Sequence, residues 1–409
     1  MPANKKKIIN DPVYGFISIP SSIIFDLIEH PIFQRLRRIK QLGLTHYVYP
    51  GALHTRFHHA LGAMHLMTEA MEVLRSKGTE ITDEEAEAVT IAILLHDIGH
   101  GPFSHALEHT LVNVHHEDLS LWFMEQLNKE FDGRLDLAIR IFMNEYQKPF
   151  LYQLVSGQLD MDRMDYLTRD SYFTGVSEGV IGYSRIIKML AVHEGELVVE
   201  EKGIYSLEKF LVARRLMYWQ AYLHKTVLSA EQMLIRTLHR AKELASQGHD
   251  LAVSKPLHYF LYSNRPAAYY EQHKTEMLTN FALLDDFDIV SALKTFANHD
   301  DFTLAFLAKG LINRKLFKIK IKNTPFESDF IEDLRQKVIN QYREEDVSPD
   351  YLVFTVSESN SNYDIRKNEI KILFKDNTVI PMSATAELGI LPKEVVKYYL
   401  CFPKLTTEK

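Results

Sequence analysis

Hydrophobic positions follow a helical period over most of the first 313 residues. The clearest case begins where Thr82 and Glu85 form a capping box, in front of an apolar helix predicted over 83–95. Gly78 ends the helix before it. Comparable patterns predict helices over 21–27, 33–42, 56–75, 115–128, 135–145, 160–170 and 206–244. We therefore expect a mainly α-helical body.

Alternating patterns are confined to short segments and to the end of the chain. Residues 189–199 alternate around Glu194-Gly195, which predicts a β-hairpin inserted in the helical body. Strands are also predicted over 317–322, 351–356, 369–374 and 378–380, with a helix over 329–343. The expected fold is mainly α, with a helical bundle core over 1–313 that carries the hairpin insertion and a small α+β C-terminal domain over 314–409.

Composition narrows the classes of function. The chain has 409 residues, a formal net charge of −7 and one cysteine, Cys401. This charge does not favour bulk attraction to nucleic acid or an anionic membrane, so a phosphate-bearing ligand needs a local cluster of Arg or Lys. One cysteine excludes an internal disulfide and a cysteine-based metal site. Without a signal-peptide core or a run of ~18 apolar residues, we predict a cytoplasmic protein.

Basic residues fall between the apolar positions of the helix predicted over 33–42. We interpret them as a solvated basic face on that helix. The residues are Arg35, Arg37, Arg38 and Lys40.

Histidines are concentrated in one part of the chain, because eleven of the 19 lie between His46 and His116. Clustered imidazoles are typical of ligands or proton carriers. His96 and Asp97 directly follow the apolar run 89–95, where a carboxylate is costly to bury unless it is paired or binds a metal. This pair is the strongest candidate for a metal site.

Two further ligands would have to come from other helices. His59 lies on a helix opened by an arginine, and Asp162 lies in an Asp-rich helical stretch. Two imidazoles and two carboxylates suit borderline divalent ions such as Mn, Fe, Co, Ni or Zn better than Ca, and Mg is a further candidate. The ligand set alone does not choose among these ions.

These residues resemble the H…HD…D pattern of the HD superfamily of metal-dependent phosphohydrolases, and more closely its deoxynucleoside triphosphate triphosphohydrolases (dNTPases). The string from His96 to His105 is highly specific, whereas the short pattern alone is weak. The resemblance spans about residues 7–225. It is carried by Asn10-Asp-Pro12, Phe33-Gln-Arg-Leu-Arg37, Gln41-Leu-Gly43, Arg56-Phe-His-His-Ala-Leu-Gly62, His96-Asp-Ile-Gly-His-Gly-Pro-Phe-Ser-His105, Asp160-Met-Asp-Arg-Met-Asp-Tyr166 with Arg169-Asp170, and Ala221-Tyr-Leu-His-Lys225.

The resemblance implies both an activity and its machinery. Enzymes of this family hydrolyse the bond at the α-phosphate and release nucleoside and inorganic triphosphate. The implied metal ligands are His59, His96, Asp97 and Asp162. The implied cleft histidines are His100, His105 and His116. We expect His105 to protonate the leaving 5′-oxygen, with Glu108 one helical turn on as its orienter.

The resemblance also implies substrate contacts. Cations suited to the triphosphate, the first three at matching positions, are Arg56, Arg163, Arg214 and Lys225. Residues expected around the sugar are Tyr166, Asp170 and Tyr222. Gln41 and Leu42 match the pair that checks the 3′-hydroxyl and leaves no room for a 2′-hydroxyl. Additional Mg is expected with the nucleotide.

Some relatives bind a guanine nucleotide at an effector site between subunits. The residues at matching positions are Lys7, Asn10, Gln34 and Arg37. Glu29 replaces an aspartate of the effector-binding relative, and Phe16 replaces a nearby histidine, so a different effector or none is also considered. A homo-oligomer, dimer or tetramer, is implied. The C-terminal domain lies outside the strong match, and assembly is the role considered for it.

Three functions remain open. The first is a dNTPase, and the second is another HD-domain nucleotidase, phosphodiesterase or single-strand nuclease. The third is a nucleotide sensor that binds without turnover, although a complete ligand set argues against it.

Overall fold

A computed structural model of the chain describes residues 7–103, 107–263, 265–343, 345–360, 369–385 and 395–405. Helices form most of the structure in these ranges, and the predicted mainly α fold is confirmed. The buried apolar side chains form one continuous cluster, from the N-terminal strands to the C-terminal sheet. No helix in the described ranges is long and apolar enough to cross a bilayer, and the cytoplasmic location stays a prediction.

Helices occur along the whole described chain, on both sides of the β-hairpin insertion. Those before residue 200 are α1 (Ser22–Glu29), α2 (Pro31–Gln34), α3 (Arg56–Ser76), α4 (Asp83–Leu95), α5 (Glu108–Leu111), α6 (His116–Glu130), α7 (Asp136–Phe142), α8 (Pro149–Val155), α9 (Met161–Thr174) and α10 (Tyr183–Met189). Those after it are α11 (Ile204–Met217), α12 (Lys225–Ser246), α13 (Lys255–Leu261), α14 (Ala267–Gln272), α15 (Lys274–Phe281), α16 (Asp286–Phe296), α17 (Phe302–Ile312), α18 (Ser328–Gln341), α19 (Pro349–Leu352) and α20 (Met382–Thr385).

Three central helices, α3, α4 and α9, carry the residues of the shared space, and α4 and α9 have capped N-termini. α3 packs against both α4 and α9. The predicted capping box of α4 is confirmed, with Glu85 N 3.1 Å from Thr82 Oγ1 and Thr82 N 2.9 Å from Glu85 Oε2. Asp160 caps α9 by accepting from the backbone N–H of Arg163 at 2.7 Å. The caps fix where α4 and α9 begin, and this sets the register in which their side chains face the shared space.

The continuous helix predicted over 33–42 is wrong. α2 ends at Gln34, a 3₁₀ turn covers Arg35–Arg38, and Ile39 is extended. The solvated basic face is also wrong for Arg35, whose side chain is fully buried and lies over the Phe281 ring. Its guanidinium donates to the carbonyl oxygens of Leu284 at 2.8 Å, Ile98 at 3.4 Å and His100 at 2.8 Å. Burial lowers the pKa of Arg35 to about 9.

The long helix predicted over 206–244 is interrupted. α11 ends in a π-helical turn over Tyr218–Tyr222, closed by Leu223 N–H donating to the Tyr218 carbonyl at 2.8 Å. The His224 ring then accepts from Thr226 N–H at 3.2 Å and starts α12 as a new helix. π-Turns of this kind are frequent at functional sites.

The strands form three small sheets. Their bounds are β1 (Ile8–Asp11), β2 (Gly15–Ser18), β3 (Leu190–His193), β4 (Glu196–Glu200), β5 (Lys318–Lys322), β6 (Phe354–Asn360), β7 (Lys371–Leu373), β8 (Val379–Pro381) and β9 (Val395–Phe402). β1 and β2 form a hairpin, and the other sheets have the orders β3-β4-β7-β8 and β5-β9-β6. The predicted hairpin insertion is confirmed as β3–β4, with Glu194 and Gly195 at positive φ in its turn.

The C-terminal region differs from its prediction in two places. The strand predicted over 351–356 is partly wrong, because Pro349 opens the helix α19 and β6 begins only at Phe354. β9 was not predicted, since its run of apolar residues lacks the alternation of a half-exposed strand. β4 pairs in parallel with β7, so one sheet joins the two regions, and the division after residue 313 stays a prediction.

The buried guanidinium of Arg35 gives the first testable prediction. Arg35→Lys should lower the free energy of unfolding by about 2–4 kcal/mol. The guanidinium contacts three carbonyls through three separate nitrogens, whereas a single ammonium nitrogen cannot reach all three, so at least one buried carbonyl loses its hydrogen bond. The shift of the thermal unfolding midpoint measures this. Arg37→Lys, at an exposed position of the same turn, is the control and should have little effect. Equal midpoints for both variants would contradict the prediction.

Candidate metal centre and substrate cavity

Two imidazoles face each other where α3 and α4 meet. His59 is fully buried in the first turns of α3, and His96 directly follows the last residue of α4. Their Nε2 atoms lie 3.4 Å apart. Two helix ends therefore bring the same ring nitrogen of each histidine to one point.

Bonds at the other ring nitrogens fix this arrangement. His59 Nδ1 lies 2.7 Å from Asp165 Oδ2, and His96 Nδ1 lies 2.6 Å from the Ile93 carbonyl oxygen. A carbonyl only accepts, so the Nδ1 of His96 carries the proton, and the carboxylate of Asp165 favours the same tautomer in His59. Both Nε2 lone pairs then point into the shared space, which is the usual orientation of metal-binding imidazoles.

Two carboxylates complete the cluster. Asp162 Oδ1 lies 3.1 Å from His59 Nε2 and 3.5 Å from His96 Nε2. Asp97 Oδ1 lies 3.4 Å from His96 Nε2, and Asp97 Oδ2 lies 3.7 Å from His59 Nε2. The structure thus brings together all four residues predicted as metal ligands.

The chemistry of this donor set fits a divalent cation. Ligand atoms of His59, His96 and Asp97 all lie within 4.8 Å of one another. Facing lone pairs and closely spaced carboxylates repel each other unless protons or a cation lie between them. Two nitrogen and two carboxylate donors match the preferences of borderline divalent ions.

A buried ion-pair chain supports the centre from behind. Arg169 is fully buried and binds Asp165 through Nε and Nη2 at 3.0 Å each, and Asp11 through Nη1 at 2.8 Å. Gly62 is required beside this chain, because a Cβ there would fall 2.7 Å from the carboxyl carbon of Asp165. Asp165 and Arg169 were not predicted as site residues. Their spacing, one turn apart and three after Asp162, was the signal available.

The remaining cleft histidines form a stacked pair. The His100 and His116 rings have centroids 4.0 Å apart. His100 Nε2 lies 3.2 Å from Asp97 Oδ1, and burial together with Arg56 lowers the pKa of His100 well below its usual value. Burial also opposes charging of His116, but its hydrogen bond to Glu108 outweighs this and raises the pKa of His116. The pair therefore contains one neutral and one readily protonated ring.

Glu108 is held at His116. Its Oε1 lies 2.7 Å from His116 Nδ1 and accepts from the His116 backbone N–H at 3.0 Å. Despite burial, which raises it, these bonds lower the pKa of Glu108 to about 2. His105, for which Glu108 was the predicted orienter, lies outside the described residues.

A cavity of about 550 Å³ opens beside the centre. Asp97 and Asp162 contribute to its wall, so the carboxylates of the cluster face it. Further predicted site residues line it, namely Gln41, Leu42, Arg56, His100, His116, Tyr166, Asp170, Arg214 and Tyr222. Of the other predicted cations, Arg163 forms an ion pair with Asp160, and Lys225 is exposed at the start of α12.

Polar groups in this cavity are arranged in pairs. Arg56 is buried and forms an ion pair with Asp97. Asp170 accepts from Tyr222 Oη at 2.7 Å and lies 2.7 Å from His54 Nε2.

Gln41 Oε1 is buried and has no hydrogen-bond partner among the described residues. An acceptor without a donor in a cavity wall is suited to a ligand hydroxyl or N–H.

The residues predicted for an effector come together elsewhere. Lys7, Asn10 and Arg37 line a second pocket, of about 530 Å³, with Glu29 in its wall. Gln34 accepts from Arg37 Nε at 2.7 Å. Phe16 is strongly exposed.

Comparison with known proteins places these features in a family. The HD domain matches residues 56–170, and the HD associated region matches residues 181–252. A crystal structure of a phosphohydrolase from Bacteroides thetaiotaomicron superposes with a TM-score of 0.94 at 53% identity, over 98% of this chain and 100% of that one. The Bacillus subtilis protein YwfO, described as uncharacterized, is 32% identical over 88% of this chain and 82% of its own.

Relatives with a named substrate match over a shorter length. The SAMHD1 homolog of Dictyostelium discoideum, a deoxynucleoside triphosphate triphosphohydrolase, is 35% identical over 56% of this chain and 48% of its own. This chain therefore spans about half the length of that enzyme.

The carboxylate behind His59 gives the second testable prediction. Asp165→Asn should lower divalent-metal affinity about 10–100-fold, because the ring loses the acceptor that fixes its orientation. Metal content after competition with a chelator measures this. Asp11→Asn is the matched control, since it removes the other carboxylate on Arg169 without contacting His59, and should cost stability but not metal affinity. Equal metal retention in both variants and the original chain would contradict the prediction.

Proposed function

This chain belongs to the HD-domain family of phosphohydrolases, and from that premise we propose that it hydrolyses dNTPs to deoxynucleoside and inorganic triphosphate. One observation carries the proposal. Paired imidazoles and carboxylates converge at the wall of a cavity that is also lined by arginines and by a Tyr–Asp pair. Its volume is within the usual range for small-molecule sites.

His59, His96, Asp97 and Asp162 would hold the divalent ion. When bound, such an ion polarises a phosphoryl oxygen and generates a nucleophile from water near neutral pH. The hydrogen bond that His59 donates to Asp165 and the one that His96 donates to the Ile93 carbonyl keep both imidazoles in the ligating tautomer.

Arginines would bind the triphosphate. Arg56 and Arg214 line the cavity, and Arg214 Nη1 lies 3.3 Å from Gln158 Oε1, which directs the guanidinium. Planar guanidinium groups suit bidentate contact with phosphate oxygens. To take part, Arg56 and Arg163 would need to release or share their ion pairs with Asp97 and Asp160. The exposed Lys225 would need to change its orientation.

A protonated imidazole would supply the leaving 5′-oxygen with its proton. The environment of His116 favours its charged form, whereas the environment of His100 favours a neutral ring. This difference supports His116 as a proton donor, with Glu108 positioning it. The assignment of this role to His105 remains a proposal alongside it.

The sugar would be held by the Tyr222–Asp170 pair, Tyr166 and Gln41. Asp170 accepts from Tyr222 Oη, and the unpaired Gln41 Oε1 is suited to accept from a 3′-hydroxyl. Leu42 would exclude a 2′-hydroxyl by contact, because a hydroxyl pressed against an apolar side chain loses its hydrogen bonds.

Regulation is a second part of the proposal. A nucleotide effector would bind at the pocket lined by Lys7, Asn10 and Arg37, and assembly into a dimer or tetramer would accompany it. The support is the pocket itself and its two basic side chains. An additional Mg ion would enter with each triphosphate.

The reaction products give the third testable prediction. Purified protein with Mn or Mg should release triphosphate from dNTPs but not from ribonucleotides, as read by product chromatography. Asp97→Ala and Asp162→Ala should each lower kcat at least about 100-fold, because each removes a carboxylate that lies beside both imidazoles and would bind the metal ion. Asp250→Ala, exposed on a loop, is the control.

Other outcomes of that assay identify the alternatives. Orthophosphate or pyrophosphate as product would favour a different HD-domain hydrolase. Release of nucleotides from single-stranded DNA would favour a nuclease. Binding of dNTPs without any product would favour a nucleotide sensor.

The Glu108–His116 pair gives the fourth testable prediction. A proton donor is active below its pKa and is lost as pH rises through it, so kcat should fall at high pH. Glu108→Gln removes the group that raises the pKa of His116 and should move this alkaline limb to lower pH, while kcat at acid pH is retained. A pH profile of kcat measures this, with Glu117→Gln on the exposed side of α6 as control. An unmoved alkaline limb would contradict the assignment.

A further inference from the structure

The cavity wall contains a second pair of carboxylates, separate from those of the metal centre. Glu231 comes from α12 and Glu358 from β6, and both line the same cavity as Asp97 and Asp162. The function proposed above gives them no role. β6 belongs to the C-terminal region, so this region contributes directly to the candidate site.

Neither carboxyl group has a partner among the described residues. The side chains of Glu231 and Glu358 form no hydrogen bond and no ion pair there. Lys397 is the residue across from Glu358 in the β6–β9 pair, but its ammonium group lies 3.7 Å from the centre of the Trp219 ring. Two acceptors that share a cavity therefore have no donor within the described part of the chain.

Their ionisation reflects the missing donors. Desolvation and the neighbouring Glu358 raise the pKa of Glu231 to about 8, and desolvation raises the pKa of Glu358. A ligand that donates hydrogen bonds lowers the pKa of a carboxyl group. Because the pKa of Glu231 is so close to neutrality, a ligand with suitable N–H groups can return it to the ionised form.

The carboxylates lie next to the residues proposed for the sugar. A Cβ on Gly43, which follows Gln41 and Leu42, would be 3.9 Å from Glu231 Oε1. The Tyr222 ring, bonded to Asp170, packs on Tyr218 at 5.9 Å between centroids, and Tyr218 is within the electrostatic influence of Glu358. The group attached to a bound sugar would therefore meet Glu231 and Glu358.

We infer that Glu231 and Glu358 read the nucleobase and make guanine the preferred base. This inference rests on the proposed dNTP substrate. Guanine is the one DNA base whose edge presents adjacent N–H donors, N1–H and the N2 amino group, to a carboxylate that accepts with both oxygens. Adenine and cytosine place a ring-nitrogen lone pair beside their amino group, and thymine has a single N–H between two carbonyls.

Binding measurements on the full chain with its metal test this inference. The probes are the α-phosphorothioate triphosphates of deoxyguanosine, deoxyinosine, deoxyadenosine and deoxycytidine, chosen to slow attack at the α-phosphate during titration calorimetry. The guanine probe should bind about tenfold tighter than the inosine probe, which lacks the N2 amino group, and tighter still than the other two.

Variants assign the effect to the two side chains. Glu231→Gln and Glu358→Gln should each weaken binding of the guanine probe about 10–100-fold and bring it towards the inosine probe, because an amide offers only one acceptor atom. Glu271→Gln, exposed on α14, is the matched control. Thermal unfolding midpoints of all variants check that they fold. The two variants lie on different elements, so if one does not fold, the other still tests the inference.

The outcomes separate this inference from the proposed function. Equal binding of all four probes, or unchanged guanine preference in both variants, would overturn the inference that these glutamates recognise the base, even if triphosphate is released. Guanine-selective binding that depends on Glu231 or Glu358, without triphosphate release, would support it and overturn the proposed reaction.

Discussion

The structure depends on holding two imidazole lone pairs face to face inside the protein. Left alone, His59 and His96 would turn away or take up protons, since nothing in an apolar core favours two facing acceptors 3.4 Å apart. Both rings are instead fixed at Nδ1, one by Asp165 and one by a helix carbonyl. Arg169 neutralises Asp165 and is itself shared with Asp11 in the N-terminal hairpin. The centre is thus connected to the first β-strands of the chain through continuous buried charge pairs. Removal of one member of this series leaves the next charge buried without its partner.

Local sequence patterns were sufficient to predict α4, which carries two residues of the metal centre, and the β-hairpin. The capping box at Thr82 fixes where α4 begins, and the apolar run that follows it delivers His96 and Asp97 at its end. The turn residues Glu194 and Gly195 define the hairpin in the same local way. The four predicted ligands come together in space, although their role as ligands stays a prediction. The capping box and the hairpin turn are predictable because their interacting residues lie only a few positions apart in the chain, whereas the ligand set was implied by the resemblance to the HD superfamily.

What the sequence could not predict depends on contacts between distant residues. The pattern around Arg35 predicts a solvated face, yet its guanidinium is needed by three carbonyls that lie 63 to 249 positions away in the chain. β9 is the central strand of its sheet, and its last four residues, 399–402, are buried on both faces, which no period within 395–402 reveals. Glu358 likewise lies beyond the strand predicted over 351–356, and its place in the cavity wall follows only from the position of β6. In each case the environment is created by elements that are remote in sequence.

For the proposed dNTP substrate, the charge distribution in the cavity also determines the orientation of the bound nucleotide. Arg56 and Arg214 provide positive charge, whereas Glu231 and Glu358 are acidic groups whose pKa values are raised by burial. A triphosphate placed against the ionised glutamates would bring like charges together in a poorly solvated site, and the base would meet arginines that cannot accept its N–H groups. The reverse orientation satisfies both ends. Unpaired carboxylates are costly to the free protein, but they exclude the inverted complex, and selection against a wrong mode is as effective for specificity as attraction to the right one.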